Sequence, residues 1–386
     1  MSNEFIFYYS TKVVSGVGVL KMIGNEIKTY ACKRALIVTD QVIAKSEAFP
    51  IIQDSLERAG IEYNIFAEVE PDPTVESVEA ACAILQEHRC DCVIGLGGGS
   101  PMDAAKGAAI RATNAAPISQ YEGANKIPNA PLPVFAVPTT AGTGSEVSQS
   151  SILTDGSVKR SIRSTTAAPK VAFLDPSCVA TVPSRVAVSA GLDALAHNME
   201  SYLSLWSSPM SECFSAAGIR LVAQNLRQYV ANPKNLVAAG NMQLAALLGA
   251  ASFLNSRVGL PHALGMALGS VVHIPHGLAC GLALAPCMEY SWIGNPKKYR
   301  DIAEFMGENT AGISDKAAAE AAIRAVVELI HSLDTKIALS CYGVGDEHVE
   351  PLAQEMIRAG LQLTDPRTST VEDAKAIVSN AMHYDL

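Results

Sequence analysis

Charge is scarce in this chain. Only 17% of its 386 residues are Asp, Glu, Lys or Arg, against about 25% in an ordinary globular protein. So little charge implies a large interior, or surface lost to subunit contacts. Basic residues are the scarcer sign, 29 against 38 acidic, and the net charge of −9 is spread along the chain. Nucleic acid is therefore not an expected partner, because its binding needs clustered Lys and Arg to displace counterions. Disorder is excluded by the 49% hydrophobic content. The opening MSNEFIFYYSTK has no basic start, long apolar run or small-residue cleavage site, so no signal peptide is expected. The nine cysteines show no framework spacing, and Cys90-x-Cys92 fits neither a zinc knuckle nor a CxxC redox pair. Reduced thiols in a cytoplasmic protein are the expectation.

The shortage of charge peaks in Val258–Met288, 31 residues without one Asp, Glu, Lys or Arg. A bilayer span needs roughly 20 apolar residues, so length alone permits a membrane segment. His262, His273 and His276 lie inside it, however, and Pro275 breaks any helix midway. Histidine in hydrocarbon is costly. The stretch is read as buried structure with a reason to keep histidines inside, and no membrane is expected.

Strand-like and helix-like segments alternate through the first half. Arg34–Asp40 reads as a buried strand, and a helix is expected from about Val42 to Ala59. A strand over Ile61–Val69 follows, then a helix capped by Thr74 and reaching about His88. Asp91–Leu96 is the next strand, running into Gly97-Gly98-Gly99-Ser100-Pro101 and a helix that carries Asp103 and Lys106. Such alternation predicts a parallel sheet with helices on both faces. The glycines permit close backbone approach, and a strand-to-helix turn offers free N–H groups to a phosphate. A tight turn without a ligand is the plainer alternative. Asp40 closes the first of these strands, where an acid can meet the adenosine ribose and repel a 2′-phosphate, favouring NAD over NADP; helix capping is its plainer role. Leu132–Val137 leads into Pro138-Thr139-Thr140-Ala141-Gly142-Thr143-Gly144-Ser145-Glu146, whose hydroxyls suit a phosphate or nicotinamide ribose. Thr139, Thr140, Thr143 and Ser145 are thus cofactor candidates, with Lys159 in one of three strand-like pieces beyond (Ser151–Leu153, Lys159–Arg163, Val171–Leu174).

From Ser184 the pattern is helical and alanine-rich. Asp193 and His197, four apart, share a helix face. In isolation such a pair is an ordinary helix-stabilising contact, but an acid and a histidine among Leu192, Ala194, Leu195 and Ala196 need partners. The uncharged stretch offers them: His262 in Leu260–Leu268, and His273 and His276 at the start of a further helix. One carboxylate and two or three imidazoles form a mixed N/O site for a divalent transition metal. No thiolate enters this set, which disfavours a structural zinc site. A metal with a nicotinamide cofactor suits alcohol–aldehyde interconversion.

These motifs resemble the iron-containing (group III) alcohol dehydrogenases over nearly the whole chain. Gly97-Gly98-Gly99-Ser100-Pro101-x-Asp103-Ala104-Ala105-Lys106 is similar to that family's pyrophosphate loop, and Pro138–Glu146 to its second cofactor loop. Gly191-Leu192-Asp193-Ala194-Leu195-Ala196-His197 and Pro275-His276-Gly277 are similar to its metal signatures. The resemblance implies Asp193, His197, His262 and His276 as ligands of Fe²⁺, with Zn²⁺ or Mn²⁺ as alternatives, and NAD(H) as cofactor. It implies a Rossmann-like α/β nucleotide-binding domain (1–183) and an all-helical metal-binding domain (184–386), a dehydroquinate synthase-like architecture with the active site in the cleft between. It also implies a homodimer or higher homo-oligomer, with Phe5–Tyr9 as a candidate contact.

Two positions depart from the family pattern. A histidine often assigned to proton transfer is replaced by Met266, which leaves His273, a water or the cofactor ribose for that task. Arg257 stands where glycine is usual, in Asn255-Ser256-Arg257-Val258-Gly259. An arginine there can pin a carboxylate, phosphonate or sulfonate, or simply face solvent or a subunit; Phe253 is named beside it as a substrate candidate. The expected activity is an NAD- and iron-dependent dehydrogenase of a short alcohol or aldehyde. The alternatives are a reductase of a short anionic aldehyde and, less favoured, a dehydroquinate synthase-like lyase.

Overall fold

In the computed structural model, residues 4–156 and 158–384 are described. The chain divides into two compact units. The first comprises Tyr9–Thr140 and Gly144–Val182. Its elements are β1 (Lys12–Ser15), α1 (Ile23–Thr29), β2 (Arg34–Val38), α2 (Ala48–Ala59), β3 (Glu62–Phe66), α3 (Val75–Glu87), β4 (Cys92–Gly97), α4 (Gly99–Thr113), β5 (Gly123–Ala124), β6 (Val134–Pro138), β7 (Ser150–Asp155), β8 (Val158–Arg163) and β9 (Val171–Leu174). Six strands form one parallel sheet in the order β1-β9-β6-β4-β2-β3.

Continuous apolar runs explain the parallel arrangement. Every residue of β4 and β6 is buried, as expected of strands covered on both faces. Side chains alternate between those faces. Ile37, Ile94 and Phe135 pack with Ile23, Ile52 and Leu56 on one side. Leu36, Val38 and Val93 pack with Val78, Leu85 and Ala108 on the other. Strand order reverses around β2, with β3 on one flank and β4 on the other. In open α/β sheets the crevice outside the carboxyl ends at such a reversal is where ligands bind.

One expectation needs correcting, and the late strands add a second sheet. The helix foreseen from Val42 is a short 3₁₀ turn (Ile43–Lys45) followed by α2 from Ala48. Pro50 has no N–H and its ring would clash with the Ser46 carbonyl in a continuous helix, so the break precedes it. Of the three late strands, only β9 joins the main sheet. β7 and β8 pair antiparallel in a separate sheet with β5. The connection after Asp155 is too short for a parallel crossover, and Gly156 takes the left-handed conformation that a tight hairpin requires (φ +59°).

The second unit comprises the chain from Pro183 onward, with Ala141–Thr143 and the residues before Tyr9. It is helical: α5 (Ser184–Leu203), α6 (Pro209–Ala231), α7 (Leu236–Ser256), α8 (Leu260–Val271), α9 (His276–Ser291), α10 (Pro296–Met306), α11 (Asp315–His331), α12 (Asp346–Arg358) and α13 (Val371–Met382). α5 is the central helix, buried throughout Gly191–Leu203 and packed against α6, α7 and α9. Missing side chains allow the approach. A Cβ on Gly191 would stand 2.2 Å from Leu226 Cδ1, and one on Gly281 2.6 Å from Leu192 Cβ. α7 is long and apolar enough to cross a membrane by length and composition, yet 61% of its most apolar window is buried against other parts of the protein. The uncharged stretch is α8 and α9, interrupted over Val272–Pro275 as Pro275 dictates.

Candidate metal centre and nucleotide loops

In the first unit, β4 ends at Gly97, whose φ of +148° suits glycine, and α4 begins at Gly99. A Cβ on Gly97 would meet Pro101 Cγ at 2.5 Å, so the turn closes only around a residue without one. Gly98 is the N-cap and supplies no side-chain cap, which leaves the first N–H groups of α4 to an outside acceptor. Gly98, Gly99 and Ser100 are half-buried at this edge. Thr139 N–H donates to the Gly97 carbonyl at 2.9 Å, which sets the second candidate loop beside the first. Thr139 is buried, while Thr140 and Thr143 are half-buried.

Other candidates build the frame. Asp103 Oδ1 accepts from Ser145 Oγ at 2.6 Å and pairs with the buried Lys106 ammonium at 2.9 Å; its Oδ2 accepts from Ile152 N–H. Lys106 also donates to Ser145 Oγ at 2.8 Å. Asp103 and Ser145 thus lock the two loops together. Asp40 Oδ1 accepts from the N–H groups of Val42 and Ile43, the capping role noted above. Among the described residues its Oδ2 has no hydrogen-bond partner. Lys159 is exposed and paired with Asp72 at 2.7 Å.

In the second unit, three helices deliver one acid and three imidazoles. Asp193 and His197 come from α5, His262 from the first turn of α8, and His276 from the first residue of α9. They converge on Asp193 Oδ1, which lies 3.8 Å from His197 Nδ1, 3.7 Å from His262 Nε2 and 4.0 Å from His276 Nε2. Asp193 Oδ1, His197 Nδ1 and His262 Nε2 are buried without hydrogen-bond partners. Buried polar atoms left bare are costly. Three of them aimed at one another form the electron-rich cradle that a divalent cation would satisfy, so the donor set fits the expected metal.

Electrostatics divide the set: Cys280 and Glu200 outweigh burial and raise His262, and Cys280 raises His276, which favours their protonated forms in the absence of a cation, while the other two suit ligation. Burial alone would raise the Asp193 carboxyl, but His197, His276 and His262 outweigh it and hold it below the usual carboxylate range. Burial pushes His197 down to about 4, which keeps its ring neutral and able to ligate. His276 differs from the sequence expectation of a wholly buried group: its side chain is 46% exposed.

Two residues of this group were overlooked in the sequence. Glu200 Oε1 lies 2.5 Å from His262 Nδ1, and its Oε2 accepts from Gly259 N–H and His262 N–H. A carboxylate behind a ligating imidazole fixes tautomer and ring orientation. Its signal was the 193/197/200 spacing, one face of a helix at i, i+4 and i+7. Cys280 is the other; with Asp193, His262 and His276 it offers four ligand atoms within 4.8 Å of one another. This sulfur was not among the donors expected from the sequence, and the signal was its place four residues after His276. His262 and His276 hold the Cys280 thiol below its ordinary value although burial alone would raise it. Glu200→Gln is expected to weaken metal affinity about 10- to 100-fold, the usual effect of losing such a partner. Competition against a calibrated chelator measures this, and unchanged affinity would deny Glu200 its orienting role.

The remaining candidates lie around this group or apart from it. Phe253 stacks on His197, centroids 4.5 Å apart and 24° between planes. Arg257 caps α7 at φ +65° and places its guanidinium 4.2 Å from the Trp206 ring centre. His273 is exposed in the α8–α9 connection, also at positive φ (+59°). Met266 is half exposed on α8.

Comparison with known proteins extends the geometry. A family model described as iron-containing alcohol dehydrogenase matches residues 10–176, and one for the C-terminal region of Fe-containing alcohol dehydrogenases matches 187–382. The chain is 36% identical to a 1,3-propanediol dehydrogenase of Klebsiella pneumoniae, over 95% of this chain and 96% of that protein. It is 33% identical to a sulfoacetaldehyde reductase of Bilophila wadsworthia, over 97% and 98% respectively. Among solved structures, a sulfoacetaldehyde reductase from Bifidobacterium kashiwanohense in complex with NAD⁺ superposes with a TM-score of 0.91 at 26% identity, covering 99% of this chain and 100% of that one.

Proposed function

Because the chain belongs to the iron-containing alcohol dehydrogenase family of oxidoreductases, we propose that it interconverts a short-chain alcohol and its aldehyde with NAD(H). We further propose that Asp193, His197, His262 and His276 hold the divalent metal, iron first, with Zn²⁺ or Mn²⁺ as alternatives. The observation that carries this reading is the convergence of Asp193 Oδ1, His197 Nδ1 and His262 Nε2, all buried and unpartnered. When bound, the metal supplies Lewis-acid polarisation of the substrate oxygen and NAD(H) supplies or accepts the hydride.

The chain's own residues do the positioning. Glu200 accepts the proton on His262 Nδ1 in a hydrogen bond and so turns the Nε2 lone pair toward Asp193. Phe253 backs the His197 ring and limits water around it. Gly97–Ser100 and the start of α4 receive the pyrophosphate, Thr139, Thr140 and Thr143 line the cofactor beside them, and Asp103 and Ser145 keep both loops in place. Asp40 keeps one carboxylate oxygen for the adenosine ribose, where its charge repels a 2′-phosphate. Lys159 reaches the cofactor only by leaving Asp72. Met266 moves no proton, so protonation of the product alkoxide falls to His273 or a water. The nine free cysteines support a cytoplasmic setting, and the exposed Phe5, Ile6, Tyr8 and Tyr9 support a homodimer or larger homo-oligomer.

A second reading, reduction of a short anionic aldehyde, draws support from the Bilophila relative and gives Arg257 the anion contact. One assay grid tests both: metal-stripped protein reloaded with Fe²⁺, Zn²⁺ or Mn²⁺, given NADH or NADPH, with propanal and sulfoacetaldehyde. Metal-dependent turnover with NADH is expected, and a preference for NADPH would sink the reading of Asp40. In that grid Arg257→Ala losing both aldehydes equally would remove the anion contact. His273→Ala with an unaltered pH profile would remove its proton role.

A further inference from the structure

Cys280 stands one helical turn after His276 on α9, on the same face. Its Sγ lies 3.7 Å from His276 Nε2 and 3.8 Å from Nδ1. The residue is fully buried (0% exposed). Gly265 of α8 makes the space: a Cβ there would stand 2.5 Å from the sulfur. The sulfur is therefore held in a fixed slot rather than on a mobile arm.

A buried cysteine is usually a small apolar filler. The neighbours here are of another kind. Asp193 Oδ1, His262 Nε2 and a His276 ring nitrogen lie with Sγ inside one 4.8 Å group. Asp193 Oδ1 and His262 Nε2 are buried and make no hydrogen bond. Two unsatisfied donors to a cation and a thiol thus address the same small volume.

We propose that Cys280 is a thiolate ligand of the metal in this centre. The inference rests on reading the group as a divalent metal site and goes beyond the oxygen and nitrogen donors assigned to it above. On binding, the sulfur–metal bond replaces the S–H bond and the thiol proton leaves to solvent. A thiolate among imidazoles and one carboxylate shifts preference toward thiophilic ions, Zn²⁺ and Co²⁺, and away from Mn²⁺.

Co²⁺ added to metal-free protein is the direct probe, because sulfur ligation gives a near-ultraviolet charge-transfer band while any bound Co²⁺ shows visible d–d bands. The wild type is expected to show both. Cys280→Ser, and Cys280→Ala as a second variant, should keep the d–d bands and lose the charge-transfer band. Zn²⁺ affinity should fall at least about tenfold in the variants, the lower range for residues that support a metal ligand, with Mn²⁺ affinity little changed. Visible bands without a charge-transfer band in the wild type would overturn the proposal and leave the metal centre standing. So would a charge-transfer band that survives both variants. If folded wild-type protein shows no d–d bands at all, the metal reading itself fails, and this proposal with it.

Discussion

Asp193→Ala is expected to purify without metal and to lose about a thousandfold in kcat/KM, because Lewis-acid stabilisation contributes several kcal/mol and each 1.36 kcal/mol is tenfold in rate. Asp193 is the only carboxylate among the assigned ligands, and its Oδ1 is the atom around which His197, His262 and His276 gather. Without it, the three imidazoles have no carboxylate beside them, and only the Cys280 thiolate proposed above would offset the cation. The fold should survive. In metal-free protein the surrounding histidines favour the buried Asp193 carboxylate, so its loss is expected to lower the melting temperature without unfolding the chain. Elemental analysis after gel filtration, beside thermal melts of both metal-free proteins, separates the two effects. Metal retained at wild-type stoichiometry would show that the carboxylate is not a ligand.

Gly277→Ala is expected to be nearly as damaging, by a different route. The Cβ it adds would stand 2.4 Å from the Ser189 carbonyl oxygen and 2.8 Å from Asp193 Cβ. Neither can move cheaply, since one is helix backbone and the other belongs to a ligand. Overpacking costs about 1–3 kcal/mol, occasionally more. The start of α9 must then lift off α5 and carry His276 with it. A misplacement of about 1 Å can cost on the order of 100-fold in rate. Lower melting temperature, weaker metal retention and lower kcat should appear together. Wild-type values on all three would mean the helices have room that the contacts deny.

The parallel sheet, the glycine turn and the Asp193–His197 pair were legible because each is written locally. β4 is a continuous apolar run ending in three glycines, and Asp193 and His197 share a helix face within one turn. The hairpin at Asp155-Gly156 is equally local, set by a glycine at positive φ between two short strands. Glu200 and Cys280 were harder. Each sits on a helix that carries a proposed ligand, and what marks it out is contact with a second helix: Glu200 with His262 on α8, Cys280 with Gly265 and His262 there. Arg257 gives the clearest case of information absent from local pattern. Its guanidinium lies over Trp206, a residue 51 positions away whose approach depends on how α5, α6 and α7 connect.

His276 stands with nearly half its side chain open to solvent, while Asp193, His197 and His262 are sealed. Of the four side chains, His276 is therefore the one that a water-borne reagent can reach without any helix moving.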